Sequence, residues 1–221
     1  MPIYGAIFRL DFEPVYEIFD SPGKIMKELH TKKIAKTLLL PDLLEQNDKR
    51  IITARFVSKI RDEMRSLSVE PISIHGTFET VDGVEIERLN DYNVFTKLVQ
   101  LVDTFRQDYN INNLFRCGLR LFIFDTIGNK DGHSSIDKTK DLIDRNLTDD
   151  FQKIFGNIKD VGIAFDGTSE DDISYKFKCG PYSTKGFDKH LSVTNELFDK
   201  NTNHDFIADV DIFEKNFRLR I

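Results

Sequence analysis

Residues 114–125, LFRCGLRLFIFD, are the stretch that most limits what this chain can fold into. They read as a strand, and a strand turns successive side chains to opposite faces. Phe115, Cys117, Leu119, Leu121 and Ile123 then share one face; Leu114, Arg116, Gly118, Arg120, Phe122 and Phe124 share the other. Two guanidiniums therefore fall on one face of a segment built for a sheet. Between them Gly118 leaves a gap in the side-chain layer. A half-buried arginine needs acceptors, and a carboxylate fits its planar fork best. The late stretch FIADVDIFEK, residues 206–215, places Asp209 and Asp211 two apart on one strand face. The expectation is an ion pair of Arg120 with Asp209 or Asp211 across a sheet. An anionic ligand held by Arg116 and Arg120 over Gly118 is the functional alternative.

The rest of the chain supplies more strands and some helix. In PIYGAIFRLDF, Ala6, Phe8, Leu10 and Phe12 alternate with Ile7, Arg9 and Asp11, as in a half-buried strand. Ser21 and Pro22 signal a helix start. A strand is expected near residues 51–59, with SKIRDEMRSL open to a helical reading. SVEPISIHGTFETVDGVEIERL reads as two strands joined by a tight turn at VDGV. DYNVFTKLVQLVDTFRQDY carries an apolar stripe at helical spacing, from Val94 to Tyr109, with Asn90 or Asp91 as cap. Segments after residue 160 (DVGIAFDG, DISYKFKCG, KHLSVTNELFD and DFIADVDIFEKNF) read as strands separated by turn residues. The expected class is α+β: a mainly antiparallel sheet with a long amphipathic helix packed on one face. One domain over residues 1–221 is expected, with a sub-division near residue 130 that would suit two related halves.

Charge is unevenly spread. Residues 24–65 hold eleven Lys and Arg against six Asp and Glu, a balance of +5 in a chain of net charge −6. Phosphate contacts are a use for such a segment, with Lys32, Lys33 and Lys36 as candidates, although a solvated helix face explains the same residues. Cys117 and Cys179 have no metal spacing around them and read as reduced thiols, the alternative being a disulfide between neighbouring strands. No apolar run approaches the length of a membrane span, and MPIYGAIFRLDF lacks the features of a secretory signal. The cytoplasm is the expected compartment.

AIFRLDFEP, the helical YNVFTKLVQLVDTF, RCGLRLFIFD and FIADVDIF, in this order, resemble a sporadically distributed prokaryotic family of uncharacterised proteins. That family shows an early strand, a central amphipathic helix, a Gly-Leu-Arg strand and a late Asp-x-Asp strand. The resemblance implies no reaction. The family's patchy distribution implies a mobile-element or defence setting.

Motifs for chemistry are sparse. No glycine-rich phosphate cradle opens a helix. DTIGNKDGH matches a calcium loop only at Asn129, Asp131 and Gly132. His30, His75, His133, His190 and His204 are scattered without metal spacing, and His133 with Ser134 and Ser135 lacks an evident orienting acid. No catalytic residue, metal site or cofactor is assigned. The reading is a non-enzymatic binding or regulatory protein acting through a protein partner or as a homo-oligomer, away from membranes. Two alternatives stand beside it. One is a metal-dependent nuclease or hydrolase using Asp209, Asp211 and Asp125. The other is a nucleic-acid binder using residues 24–65.

Overall fold

Period-two alternation recurs along most of the segments that form strands, and in a computed structural model of the chain these strands join edge to edge in one antiparallel sheet. The structure describes residues 2–20, 24, 27, 43–44, 54–60, 63–88, 100, 103–125, 162–181 and 206–215. Among them the strands are β1 (Ile3–Phe12), β2 (Leu43–Leu44), β3 (Ala54–Ile60), β4 (Glu63–Glu70), β5 (Ser73–Val84), β6 (Leu114–Asp125), β7 (Ile163–Thr168), β8 (Ser174–Pro181) and β9 (Phe206–Lys215). Their spatial order is β2-β3-β4-β5-β1-β6-β9-β8-β7. Strands from before and after residue 130 thus meet in one sheet, through the β6–β9 pair.

The α+β expectation is corrected. The described residues are mostly antiparallel sheet, and their helical runs are short: α1 (Tyr16–Asp20) and residues 103–108. No helical run among them reaches seven residues, so no long amphipathic helix is found. Part of the apolar stripe between Val94 and Tyr109, and Ser21 with Pro22, lie outside the described residues. The described end of the stripe stops by a defined cap. Asn110 takes φ +52°, Tyr109 N–H donates to Phe105 O at 2.9 Å, and Ile111 N–H donates to Arg106 O at 3.0 Å. This is the left-handed C-terminal cap in which a 6→1 bond closes the last turn. Phe105 and Ile111, on either side of the cap, are both buried in the core.

Two other expectations change. EMRSLSVE is a strand, paired antiparallel with β3 and β5; Glu63, Arg65, Leu67 and Val69 share one face, on which Leu67 and Val69 enter the core while Arg65 pairs with Glu63 at 2.7 Å. The turn expected at VDGV lies instead at Pro71 and Ile72, and Asp82-Gly83 belongs to one continuous strand. The Asp-Gly signal has a different cause. Between Ile3↔Val84 and Gly5↔Glu79 the register shifts, so β5 carries extra residues opposite Tyr4. Gly83, at φ +68°, supplies the left-handed residue this bulge requires.

The core covers one face. Ala6, Leu10 and Phe12 of β1, Ile74 and Phe78 of β5 and Leu121 of β6 meet Val15, Ile18 and Phe105 there. A second cluster, Tyr4, Phe122 and Phe124, lies on the reverse face, with Tyr4 edge-on to Phe124 at 5.7 Å. The face assignment of β6 needs one correction. Asp11 pairs with Arg116 but Phe12 pairs with Leu114, so Phe115 is an extra residue at a bulge. The bulge sends Leu114 into the core instead of beside Arg116, and leaves Phe115 half exposed.

A Cβ on Gly83 would sit 2.7 Å from Pro2 Cβ and 2.9 Å from Tyr4 Cζ. Gly83→Ala is expected to lower stability by about 2 kcal/mol, from left-handed strain and overpacking together. Urea denaturation reads the loss; an unchanged midpoint would show that the bulge relaxes freely.

Candidate functional site

The reverse face of the sheet carries a charged ladder, and the residue types dictate its layout. Arg120 is opposite Asp211 in the β6–β9 register, Gly118 opposite Phe213, and Arg116 opposite Lys215. Directly opposed partners are not the ones that bond. Arg120 donates from Nε and Nη2 to the two oxygens of Asp209 at 2.7 and 2.6 Å. Arg116 donates from Nη2 to both oxygens of Asp211 at 2.9 and 2.7 Å. Both side chains therefore run diagonally. Arg116 can do so because it lies across Gly118: a Cβ there would sit 3.3 Å from Arg116 Nε and 2.9 Å from Phe213 Cβ. Its guanidinium packs on the Phe213 ring at 4.4 Å from the centroid, and its Nε is buried without a hydrogen bond. Arg120 similarly stands over Phe122 at 5.0 Å. The space above Gly118 is thus filled by Arg116 itself, which leaves no gap there for an anion.

The environment of the ladder is uneven. Asp209 is buried while Arg120 is 42% exposed along its side chain. Hydrogen bonding to Asp209 pushes the Arg120 guanidinium further above its ordinary range, against the opposing effect of burial. Lys176 and Lys178 of β8 stand in register beside Asp211 and Asp209, both exposed to solvent.

This geometry weakens the metal reading. Every carboxylate oxygen of Asp209 and Asp211 accepts from a guanidinium, so a cation would have to displace an arginine. Asp125 is at the far end of β6, in register with Phe206. Among the described residues, no group of three His, Cys, Asp or Glu converges to hold a metal. Lys32, Lys33 and Lys36 lie outside the described residues, as do Asn129, Asp131, Gly132 and His133.

Sequence reasoning missed a Ser–His contact. Ser73 Oγ lies 2.8 Å from His75 Nε2 and donates to Glu70 Oε2 at 3.2 Å. The carboxylate accepts the hydroxyl's hydrogen bond and does not orient the imidazole, and Ser73 is 1% exposed. That order of groups is not a nucleophile–base–acid relay. Burial holds His75 below the ordinary histidine range; Arg9 adds to the shift, and the acids Glu70 and Asp11 oppose it.

The core-side face tells a different story at its outer end. There Leu121 continues into Val210, Phe177 and Phe165, and Leu119 into Ile212, Tyr175 and Gly167. Burial falls along the first row, from Leu121 at 4% exposed to Phe165 at 52%, and in the second row Ile212 is 38% exposed. Phe165 stacks on Phe177 at 4.8 Å and meets Tyr175 edge-on at 6.4 Å. The Tyr175 ring lies over Gly167, whose missing side chain makes room for it. Such an aromatic face, open at the last described strand of a sheet, is the feature best suited to contact another protein. Alternation of Ile163, Phe165 and Gly167 was visible in the sequence; that β7 is the outermost described strand was not.

No protein-family model, curated protein or solved structure matches this chain, so the residues' roles rest on this geometry.

Removing Arg120 strands a buried carboxylate, whereas removing the Asp209 charge frees a guanidinium that can turn to water. Arg120→Met is expected to cost about 2 kcal/mol in urea denaturation, and Asp209→Asn about half of that. Equal losses would mean that the pair is not asymmetrically solvated. For His75, the folded state disfavours the proton, so its contribution to stability is complete above the unfolded value of roughly 6.5. The contribution is lost as pH falls below that value toward the folded one. Thermal midpoints between pH 7.5 and 5.5 should fall less steeply in His75→Gln than in the unaltered protein.

Proposed function

We propose that this chain is a non-catalytic binding or regulatory protein that docks a protein partner on the aromatic face of β7, β8 and β9. Half-exposed Phe165, stacked on Phe177 at the outermost described strand, is the observation that carries this reading. Rigid aromatic rings that remain open on a sheet are costly in water and rewarding in an interface. The ladder on the reverse face supports a structural role for Arg116 and Arg120, since their guanidiniums are already engaged. Free thiols at Cys117 and Cys179 fit a reducing compartment, which supports a cytoplasmic setting. No helix among the described residues is long and apolar enough to cross a membrane.

The test is capture on immobilised protein at low and high salt. A protein retained at high salt and lost with Phe165→Asp is the expected result, because an apolar contact resists screening. Binding that Phe165→Asp leaves intact would move the interface elsewhere. Retention of nucleic acid at low salt alone would favour phosphate contacts by the basic segment.

A further inference from the structure

We infer that the occupant of the β7 edge is a second copy of this chain, paired antiparallel to its own β7 about Phe165. The inference deepens the docking reading above and rests on it.

The outer edge of β7 has a defined hydrogen-bonding phase. Ser169 N–H donates to Ile173 O at 2.9 Å at the mouth of the β7–β8 hairpin. In an antiparallel ladder, bonded and non-bonded pairs alternate. Gly167, Phe165 and Ile163 therefore direct their backbone groups toward β8, and Thr168, Asp166 and Ala164 direct theirs outward. A second β7 centred on Phe165 meets this phase. Ala164 and Asp166 of the second copy exchange both backbone bonds, and the twofold axis repeats the exchange. Phe165 then faces Phe165 of the second copy as a non-bonded pair, the arrangement in which side chains come closest.

Both faces agree with this register. On the aromatic face, Phe165 joins its copy beside Phe177 and Tyr175, and Ile163 stands opposite Gly167. On the charged face, Lys178 is opposite Ala164, and Ala164 is opposite Asp166 of the second copy. Lys178 and that aspartate are two strand spacings apart, about 9.6 Å at the backbone, with only a methyl group between them. The same contact recurs on the other side of the axis. A register shifted by one pair toward Asp166 would set Asp166 against its own copy. In this register the aromatic face sets apolar against apolar, and each Asp166 lies between Lys176 of its own chain and, across Ala164, Lys178 of the other copy.

An edge of six residues is a small interface, so self-association is expected in the high micromolar range and above. Sedimentation equilibrium on the full chain should show the average mass rising with concentration toward twice the chain mass. Asp166→Lys sets two lysines together at each contact, and Lys178→Glu sets two acids together. Each variant alone should remain monomeric and still melt cooperatively, at a somewhat lower temperature than the unaltered chain, because position 166 faces Lys176 and position 178 faces Asp209 within one chain. An equimolar mixture of the two should associate again, because each contact in the mixed dimer then joins opposite charges. Restored association in the mixture is specific to this register. A wild-type chain that stays monomeric, or a mixture no better than its components, overturns the second copy as occupant. If Phe165-dependent capture of a different protein persists in that case, the docking face stands and only the self-pairing falls. If Phe165→Asp changes neither, both are wrong.

Discussion

The β6–β9 pair holds the sheet together. Everything from β2 to β6 lies on one side of it and β8 and β7 on the other, so its register sets the alignment of both parts. Backbone pairing alone does not choose a register; side chains do. A slip of one residue would carry Asp209 and Asp211 to the face where Val210 packs against the core. Two diagonal guanidinium–carboxylate pairs oppose that slip, Arg120 bidentate on Asp209 and Arg116 sharing one nitrogen between both oxygens of Asp211, each laid on a phenylalanine ring. Gly118 belongs to the same device, because Arg116 reaches Asp211 only across the space a side chain would fill.

Much of this was legible in the sequence. Alternation identified β1 and β6 and assigned most of their faces, and the chemistry of a half-buried arginine pointed to the Asp-x-Asp strand. What misled was local. The apolar stripe from Val94 to Tyr109 has the period of a helix, but period says nothing about how much of the fold rests on one; the described structure is sheet. Asp82-Gly83 carries turn chemistry because a bulge and a turn both need a left-handed residue. Leu114 and Phe115 exchanged faces because one inserted residue reverses parity, and alternation cannot foresee it. The diagonal pairing was beyond reach for a similar reason, since the sequence reveals which charges share a face but not which way a long side chain leans. Exposure of Phe165 depends on strand order, which no local pattern contains.

The two faces of the outer sheet divide the work. Charge on one face is spent within the molecule, aspartate against arginine. Apolar surface on the other is only partly used, deep at Leu121 and open at Phe165. A strand that is apolar on one side and carries Asp166 among small residues on the other is neither a sealed edge nor an indiscriminate one.

The sequence distance between β6 and β9 also has a consequence in time. Arg120 and Asp209 are 89 residues apart along the chain. At a synthesis rate of roughly 5–20 residues per second, β6 leaves the ribosome several seconds before the strand that completes it. Throughout that interval one side of β6 is an open template rich in Leu, Phe and Ile, the kind of segment on which nascent chains aggregate. Arg116 and Arg120 carry unpaired charge during that wait, and charge on an open strand repels a second strand of the same kind. The arginines that lock the finished sheet thus guard it while it is incomplete, and they lose that role when their aspartates arrive.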